Sequence, residues 1–245
     1  MSYIGQFVAK LNRIRVRTLR AVPALTSRAS KNGKINWWLV YGAERTGTSL
    51  MFRMVGMASL RTVSDWGLGD MLKLTPEYSY IKFDRERALG DISRNILDNA
   101  GVGGGTKLDL VFKQASISIQ EYQMVVKMWG YPSRRIFCFR EPSGYIASAI
   151  KKFPDSSLSH LQAQYIESFK RYEEIGGDIF EYSARVTKQH YIEFLAPTVP
   201  TRSLKEEFHF RGTYEPQNAS DDMWAVYHEF KQKHHSRIFP IVQET

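Results

Sequence analysis

The stretch NWWLVYGAERTGTSLMFRM, Asn36–Met54, decides the fold. Its first part, Asn36–Tyr41, is a continuous apolar run rich in aromatics, the length of a strand buried on both faces. Its last part opens a helix, Thr48–Leu60, whose inward side carries Leu50, Met51, Met54, Val55 and Met57. Between them GAERTGTS, Gly42–Ser49, has two glycines in the spacing GxxxxG. A glycine-framed loop between a buried strand and a helix lets backbone N–H groups converge on an anion, and the helix start adds free donors and a favourable dipole.

The same alternation continues along the chain. Leu108–Phe112 reads as a second buried strand followed by a helix around Ile119–Trp129. Arg135–Phe139 reads as a third, followed by helices at Ser143–Phe153 and Ser156–Ile175. Asp178–Tyr182 is a fourth strand, Thr187–Leu195 a short helix and Met223–His234 a last one, after an irregular stretch from Pro197 to Asp222. Strands alternating with helices predict an α/β fold, a three-layer sandwich around a central parallel sheet. The glycine-rich GVGGGT, Gly101–Thr106, precedes a strand rather than following one. It therefore reads as a connection and not as a dinucleotide loop.

Composition bounds the alternatives. The 245 residues, 43% hydrophobic and 24% charged, suit one globular domain, and no run reaches the length of a membrane span. A single cysteine, Cys138, excludes an internal disulfide framework and a cysteine zinc site, and its apolar setting predicts a reduced core thiol. The histidines are scattered, with His234–His235 the only adjacent pair, so no metal is expected. The net charge of +9 is concentrated in an N-terminal arm: eight Lys and Arg precede the first acid, Glu44, and the remaining 26 nearly balance 25 acids. Residues 1–34 are read as this basic arm and residues 35–245 as the domain. Ile4, Phe7, Val8, Leu11 and Ile14 recur at helical spacing beside the bases. Such a helix can pack on the domain with a solvated basic face, or touch an anionic membrane surface. An acid-free basic arm also suits an organellar transit peptide. Nucleic acid is not the expected partner. With no clear secretory signal, a cytoplasmic location is expected.

The loop's cations narrow its ligand. A nucleoside-triphosphate P-loop needs Lys after the second glycine; here that position is Thr48, and the cation stands inside the loop as Arg45. Hydroxyls of Thr46, Thr48 and Ser49 add donors. The third strand runs into Arg140 rather than an Asp that would hold magnesium. The pattern fits an anion held by cations without Mg²⁺.

GAERTGTSLMFRM resembles the 5′-phosphosulfate-binding loop of the PAPS-dependent sulfotransferase family, in which a Lys or Arg is followed by a small residue, Gly and two hydroxyl residues. IFCFREPSGYIASAIKKF resembles that family's 3′-phosphate segment, where an Arg closes a strand and a Ser follows eight residues later, here Arg140 and Ser148. The two motifs lie 95 residues apart in the family's order. The resemblance is clearest over Trp37–Leu60 and Arg135–Phe153, weaker at Ile179–Tyr182 and Tyr191–Leu195, and does not cover the arm or the region after Pro197. It implies the family's P-loop-like architecture and metal-free transfer of a sulfuryl group from 3′-phosphoadenylyl sulfate (PAPS) to a hydroxyl or amine, leaving PAP. Gly47 with Arg45, Thr46, Thr48 and Ser49 would hold the donor's sulfated end. Arg140 and Ser148, with Arg211 in a short late basic-glycine match, would hold the 3′-phosphate.

Catalysis of this kind rests on positioned cations, here Arg45, assisted by Thr48 and Ser49, with Lys113 helping to bind the transferring sulfonate. The cytosolic branch takes the acceptor proton with a His two residues after Lys113, a position held by Ala115. Other branches use a carboxylate, and Asp65, twenty residues beyond Arg45, is the expected base, with Asp70 second. Trp66–Arg87, with Trp66, Tyr78, Tyr80 and Phe83, would line the acceptor site. The acceptor stays open among carbohydrate, lipid, small molecule and tyrosine. A P-loop kinase and an inactive PAP-binding protein are the alternative readings.

Overall fold

The computed structural model describes residues 35–58, 108–183, 185–196 and 217–239. Within them four strands, β1 (Ile35–Gly42), β2 (Leu108–Gln114), β3 (Arg134–Arg140) and β4 (Asp178–Tyr182), form one sheet in the order β2-β1-β3-β4. Every pairing is parallel. Helices α1 (Thr48–Ala58), α2 (Ile119–Trp129), α3 (Pro142–Lys152), α4 (Leu158–Ile175), α5 (Lys188–Leu195) and α6 (Asp221–Lys233) cover it. The expected α/β architecture, a parallel sheet between helical layers, is what folds.

Strand alternation divides the core in two. Trp37, Leu39, Tyr41, Phe112, Phe137, Phe139 and Ile179 face α2, α3, α4 and α6. Val40, Val111, Ile136, Cys138 and Phe180 face α1 and α5. Successive side chains leave a strand on opposite faces, so an unbroken apolar run is what a sheet covered on both sides requires.

The first layer is aromatic. Phe137 packs against Tyr41, Phe139, Phe169, Tyr172 and Phe230, with ring centroids 5.0–6.2 Å apart. On α4, Leu161, Tyr165, Phe169 and Tyr172 recur at helical spacing and are all buried. Burial pushes the tyrosine hydroxyls up from their ordinary pKa, so they stay protonated and donate: Tyr41 to the Gly176 carbonyl (2.9 Å) and Tyr145 to that of Leu161 (3.0 Å). Burial likewise raises the Cys138 thiol, the expected core cysteine.

Local signals set the helix starts. Ser118 and Glu121 form a reciprocal capping box at α2, and Ser157 caps α4 through the His160 N–H (3.2 Å). At α3 the Glu141 carboxylate accepts from the Gly144 N–H (2.6 Å) while Pro142 occupies the first turn.

Among the departures from the sequence reading, two shape the sheet. Strand β2 continues past Phe112 through Lys113 to Gln114, because Val40 and Tyr41 of β1 provide the pairing register. Beyond α6 the chain comes back to the sheet: Ile238 bridges Ile179 in parallel and the Phe239 N–H donates to the Ile179 carbonyl (3.1 Å), covering the outer edge of β4. The adjacent histidines separate in role. His234 is buried against Tyr172 and Phe230 and bonds Glu173 of α4 (2.9 Å), while His235 is exposed.

Two predictions follow from this packing. Phe137→Ala should destabilise the fold by about 3–5 kcal/mol in urea unfolding, whereas Tyr131→Ala, at a residue 79% exposed, should change it by less than about 0.5 kcal/mol. Partial burial pushes the Glu173 carboxyl up, but hydrogen bonds from Lys233 and His234 outweigh it and hold the pKa below its ordinary 4.5. A depressed carboxyl stabilises the fold above its ordinary pKa and loses that contribution as pH falls through the depressed value. The stability difference between wild type and Glu173→Gln should therefore hold steady above pH 4.5 and shrink below it, read from unfolding curves across that range.

Candidate anion-binding site

The strand order creates the site's location. From β1 the chain enters α1 on one face of the sheet, and from β3 it enters α3 on the other. Connections that leave neighbouring parallel strands on opposite faces open a crevice at the strands' carboxyl ends, the usual ligand position in such sheets. The same two-residue alternation sends Lys113 to the face of Val111, Arg140 to that of Cys138, and Tyr182 to that of Phe180, which is the α1 face.

The β1–α1 loop is built tightly against β3. A Cβ on Gly42, whose φ is 151°, would lie 2.1 Å from the Cys138 carbonyl oxygen. One on Gly47, at φ 90°, would lie 2.8 Å from the Tyr182 ring. Both positions demand glycine. The buried Thr46 hydroxyl donates to the Ala43 carbonyl (2.6 Å), and the Gly42 N–H donates to the Ala115 carbonyl (3.2 Å). Thr46 thus braces the loop with its hydroxyl proton, where the sequence suggested a ligand donor. The N–H groups of Leu50 and Met51 turn back to the Gly47 carbonyl (3.1 and 2.9 Å). Helix geometry leaves those of Thr48 and Ser49 without an acceptor inside α1.

Arg45 is the one non-glycine residue with positive φ (69°) among the described residues. The left-handed conformation costs roughly 1–2 kcal/mol for a residue with a Cβ. It carries the exposed side chain across the crevice, where Nε donates to the Ser148 hydroxyl of α3 (3.1 Å). Two residues 103 positions apart, one from each motif, are in direct contact. On the loop's other side Lys113 Nζ donates to the Ser49 hydroxyl (3.1 Å) and lies over the Phe52 ring, 5.9 Å from its centroid.

Arg140 closes β3 at 9% exposure, its guanidinium over the Tyr182 ring, 5.4 Å from the centroid. Gly144 leaves room for it, since a Cβ there would fall 2.7 Å from Nε and Nη2. From behind, the buried Tyr165 hydroxyl donates to the Arg140 carbonyl (2.6 Å), fixing the strand end to α4. The Glu141 carboxylate, an alternative partner for Arg140 by sequence, caps α3.

Residues of the two motifs, Arg45, Gly47, Ser49, Arg140 and Ser148, together with Lys113, therefore gather around one crevice, with Thr48 buried at the start of α1. Asp65, Asp70, Arg211, the aromatic segment from Trp66 to Arg87, Gly101–Thr106 and the basic arm lie outside the described residues. Tyr182, against Gly47 and Arg140, is a neighbour of the site that no sequence motif marks. Its signal was its position, the last residue of a buried parallel strand, where ligand contacts collect. Among the described residues no helix is long and apolar enough to cross a membrane. No protein-family model and no curated protein sequence matches the chain.

Proposed function

We propose that the chain is a PAPS-dependent sulfotransferase. The observation that carries this reading is the meeting of the two motifs at one crevice, with Arg45 of the β1–α1 loop on Ser148 of α3 (3.1 Å) and Arg140 closing the strand between them in space. A donor with anionic groups at both ends of its ribose needs two cationic centres at fixed separation. The loop with Lys113 supplies one, and Arg140 with Ser148 supplies the other. Arginine suits both tasks, since its charge persists on burial and its fork makes paired bonds to phosphate or sulfate oxygens.

In the proposed reaction the acceptor oxygen forms a bond to the donor sulfur as the bond from sulfur to the bridging phosphate oxygen breaks. The acceptor proton passes to a base, for which Asp65 remains the candidate, and PAP leaves. Negative charge grows on the bridging oxygen, so a cation next to it stabilises the transition state more than the ground state. Arg45 is assigned that role, with Ser49 and Lys113 beside the sulfonate. Ser148 sets the direction of the Arg45 fork and is then shared between Arg45 and the ligand. The acceptor is a hydroxyl compound of the carbohydrate, lipid, small-molecule or tyrosine class. The kinase alternative is disfavoured by Thr48 in the Walker lysine position and by Arg140 at the end of β3.

Transfer is tested with labelled PAPS and a panel of hydroxyl acceptors, and donor-site occupancy by PAP titration calorimetry. PAP should bind equally well with magnesium or with EDTA. Arg45→Ala should lower turnover by about 10²–10³-fold with a smaller effect on PAP affinity. Arg140→Ala should weaken PAP roughly 10- to 100-fold, the size of a lost charged hydrogen bond. Gly47→Ala should abolish PAP binding by driving the loop off Tyr182. Failure to bind PAP combined with failure to transfer sulfate to any acceptor would sink the proposal, and magnesium-dependent ATP binding would replace it with the kinase.

A further inference from the structure

The geometry points to Tyr182 as a positioning residue that fixes the spacing between the loop and the Arg140 guanidinium, so that one ligand can engage both. The inference rests on the donor reading above and adds to it a residue to which no role has been given.

One ring touches both halves of the site. Its Cβ, Cγ and Cδ2 lie so close to Gly47 that even a methyl group there would stand 2.8–2.9 Å away. Its face carries the Arg140 guanidinium, 5.4 Å from the centroid. An aromatic ring is a rigid spacer with few rotatable bonds, and its π face attracts a cation without offering an oxygen that competes with an anionic ligand. A carboxylate in this place would hold Arg140 more strongly and would repel the ligand.

The spacer is itself held from the other side of the sheet. The preceding residue, Glu181, points to the α6 face, where its carboxylate accepts from the Tyr227 hydroxyl and from Lys231 Nζ (2.9 Å). On the neighbouring strand β3 the Arg140 carbonyl is fixed by the Tyr165 hydroxyl of α4. The end of β4 is therefore pinned by α6 and the end of β3 by α4, and the Tyr182 ring spans from β4 to the loop. A ligand anchored at two points gains from a fixed spacing, because the second contact forms within an already bound complex. A ligand anchored at one point gains nothing from it. Removing the ring should therefore damage the two-point ligand selectively.

The experiment compares PAP, 5′-AMP and 3′-AMP as ligands of wild type, Tyr182→Phe, Tyr182→Leu and the double variant Tyr182→Leu/Arg140→Ala. Tyr182→Leu should weaken PAP about tenfold or more and each monophosphate less than about threefold. Tyr182→Phe should match wild type, since the ring and not the hydroxyl does the spacing. In the Arg140→Ala background the Tyr182→Leu effect on PAP should fall below about threefold. If Tyr182→Leu fails to fold in thermal melts, Tyr182→Met keeps volume beside Gly47 without a π face and carries the same comparison. Equal losses for all three ligands, a Tyr182→Phe defect as large as that of Tyr182→Leu, or an undiminished effect without Arg140 would each overturn the inference while leaving the donor reading intact. If wild type bound no PAP, the donor reading would fail and this inference with it.

Discussion

At Gly42 the backbone of β1 comes so close to β3 that a single methyl group would collide with the Cys138 carbonyl at 2.1 Å. That contact sets how near the β1–α1 loop sits to the strand ending in Arg140. The loop cannot move outward without losing the Gly42–Ala115 hydrogen bond on the β2 side. It cannot move inward past the β3 backbone. The neighbouring strands therefore act as a gauge for the loop's position, and the core beneath them, packed on both faces, resists deformation.

Charge placement follows from this. Three cationic side chains, Arg45, Lys113 and Arg140, stand at the crevice. Arg140 is nearly buried, and guanidinium is weakly hydrated, so it loses less on leaving water than an ammonium would. Lys113 and Arg45 keep more solvent, and each donates to a hydroxyl, Lys113 to that of Ser49 and Arg45 to that of Ser148. Hydroxyls orient a cation without neutralising it, which preserves the field that an anionic ligand would meet. Two carboxylates of the neighbouring strand ends are committed elsewhere: Glu141 caps α3, and Glu181 is bound by Tyr227 and Lys231 on the α6 face.

The sequence was most legible where one physical signal dominated. A continuous apolar run located β1, shorter apolar stretches alternating with helical patterns located the other three described strands, and Asp178–Tyr182 coincides with its expected bounds, with Gly176 and Gly177 before it. The boundaries that moved did so through pairing or capping: β2 grew by two residues against β1, and Ser157 rather than Ser156 starts α4. In the site, the glycine frame marked the loop, while Ser148 was singled out only through the family resemblance and meets Arg45 in the fold. What stayed hidden was contact across distance. Nothing in Tyr182 announces that its ring will meet Gly47 and Arg140, and nothing in Thr46 says that its hydroxyl will turn inward to Ala43. The return of Ile238 and Phe239 to the edge of β4 is equally non-local, a pairing between segments about 60 residues apart whose own sequence is too short to declare a strand.

Arg45 joins these strands of argument. Its left-handed backbone carries a strain that glycine would avoid, and the loop tolerates it between Thr46, which is tied to Ala43, and Gly42, which is pressed on β3. A glycine would relieve the backbone and lose the cation. A lysine would keep the charge and lose the fork, one nitrogen of which rests on Ser148 while the others remain directed by that contact. The strain is thus the cost of placing a forked cation inside the loop rather than at the start of the helix, where the triphosphate-binding pattern puts its lysine. A cation within the loop reaches across to α3, where Arg45 meets Ser148. On the proposed donor reading, moving the charge by these few residues would suit a different anion geometry on the same strand–loop–helix frame.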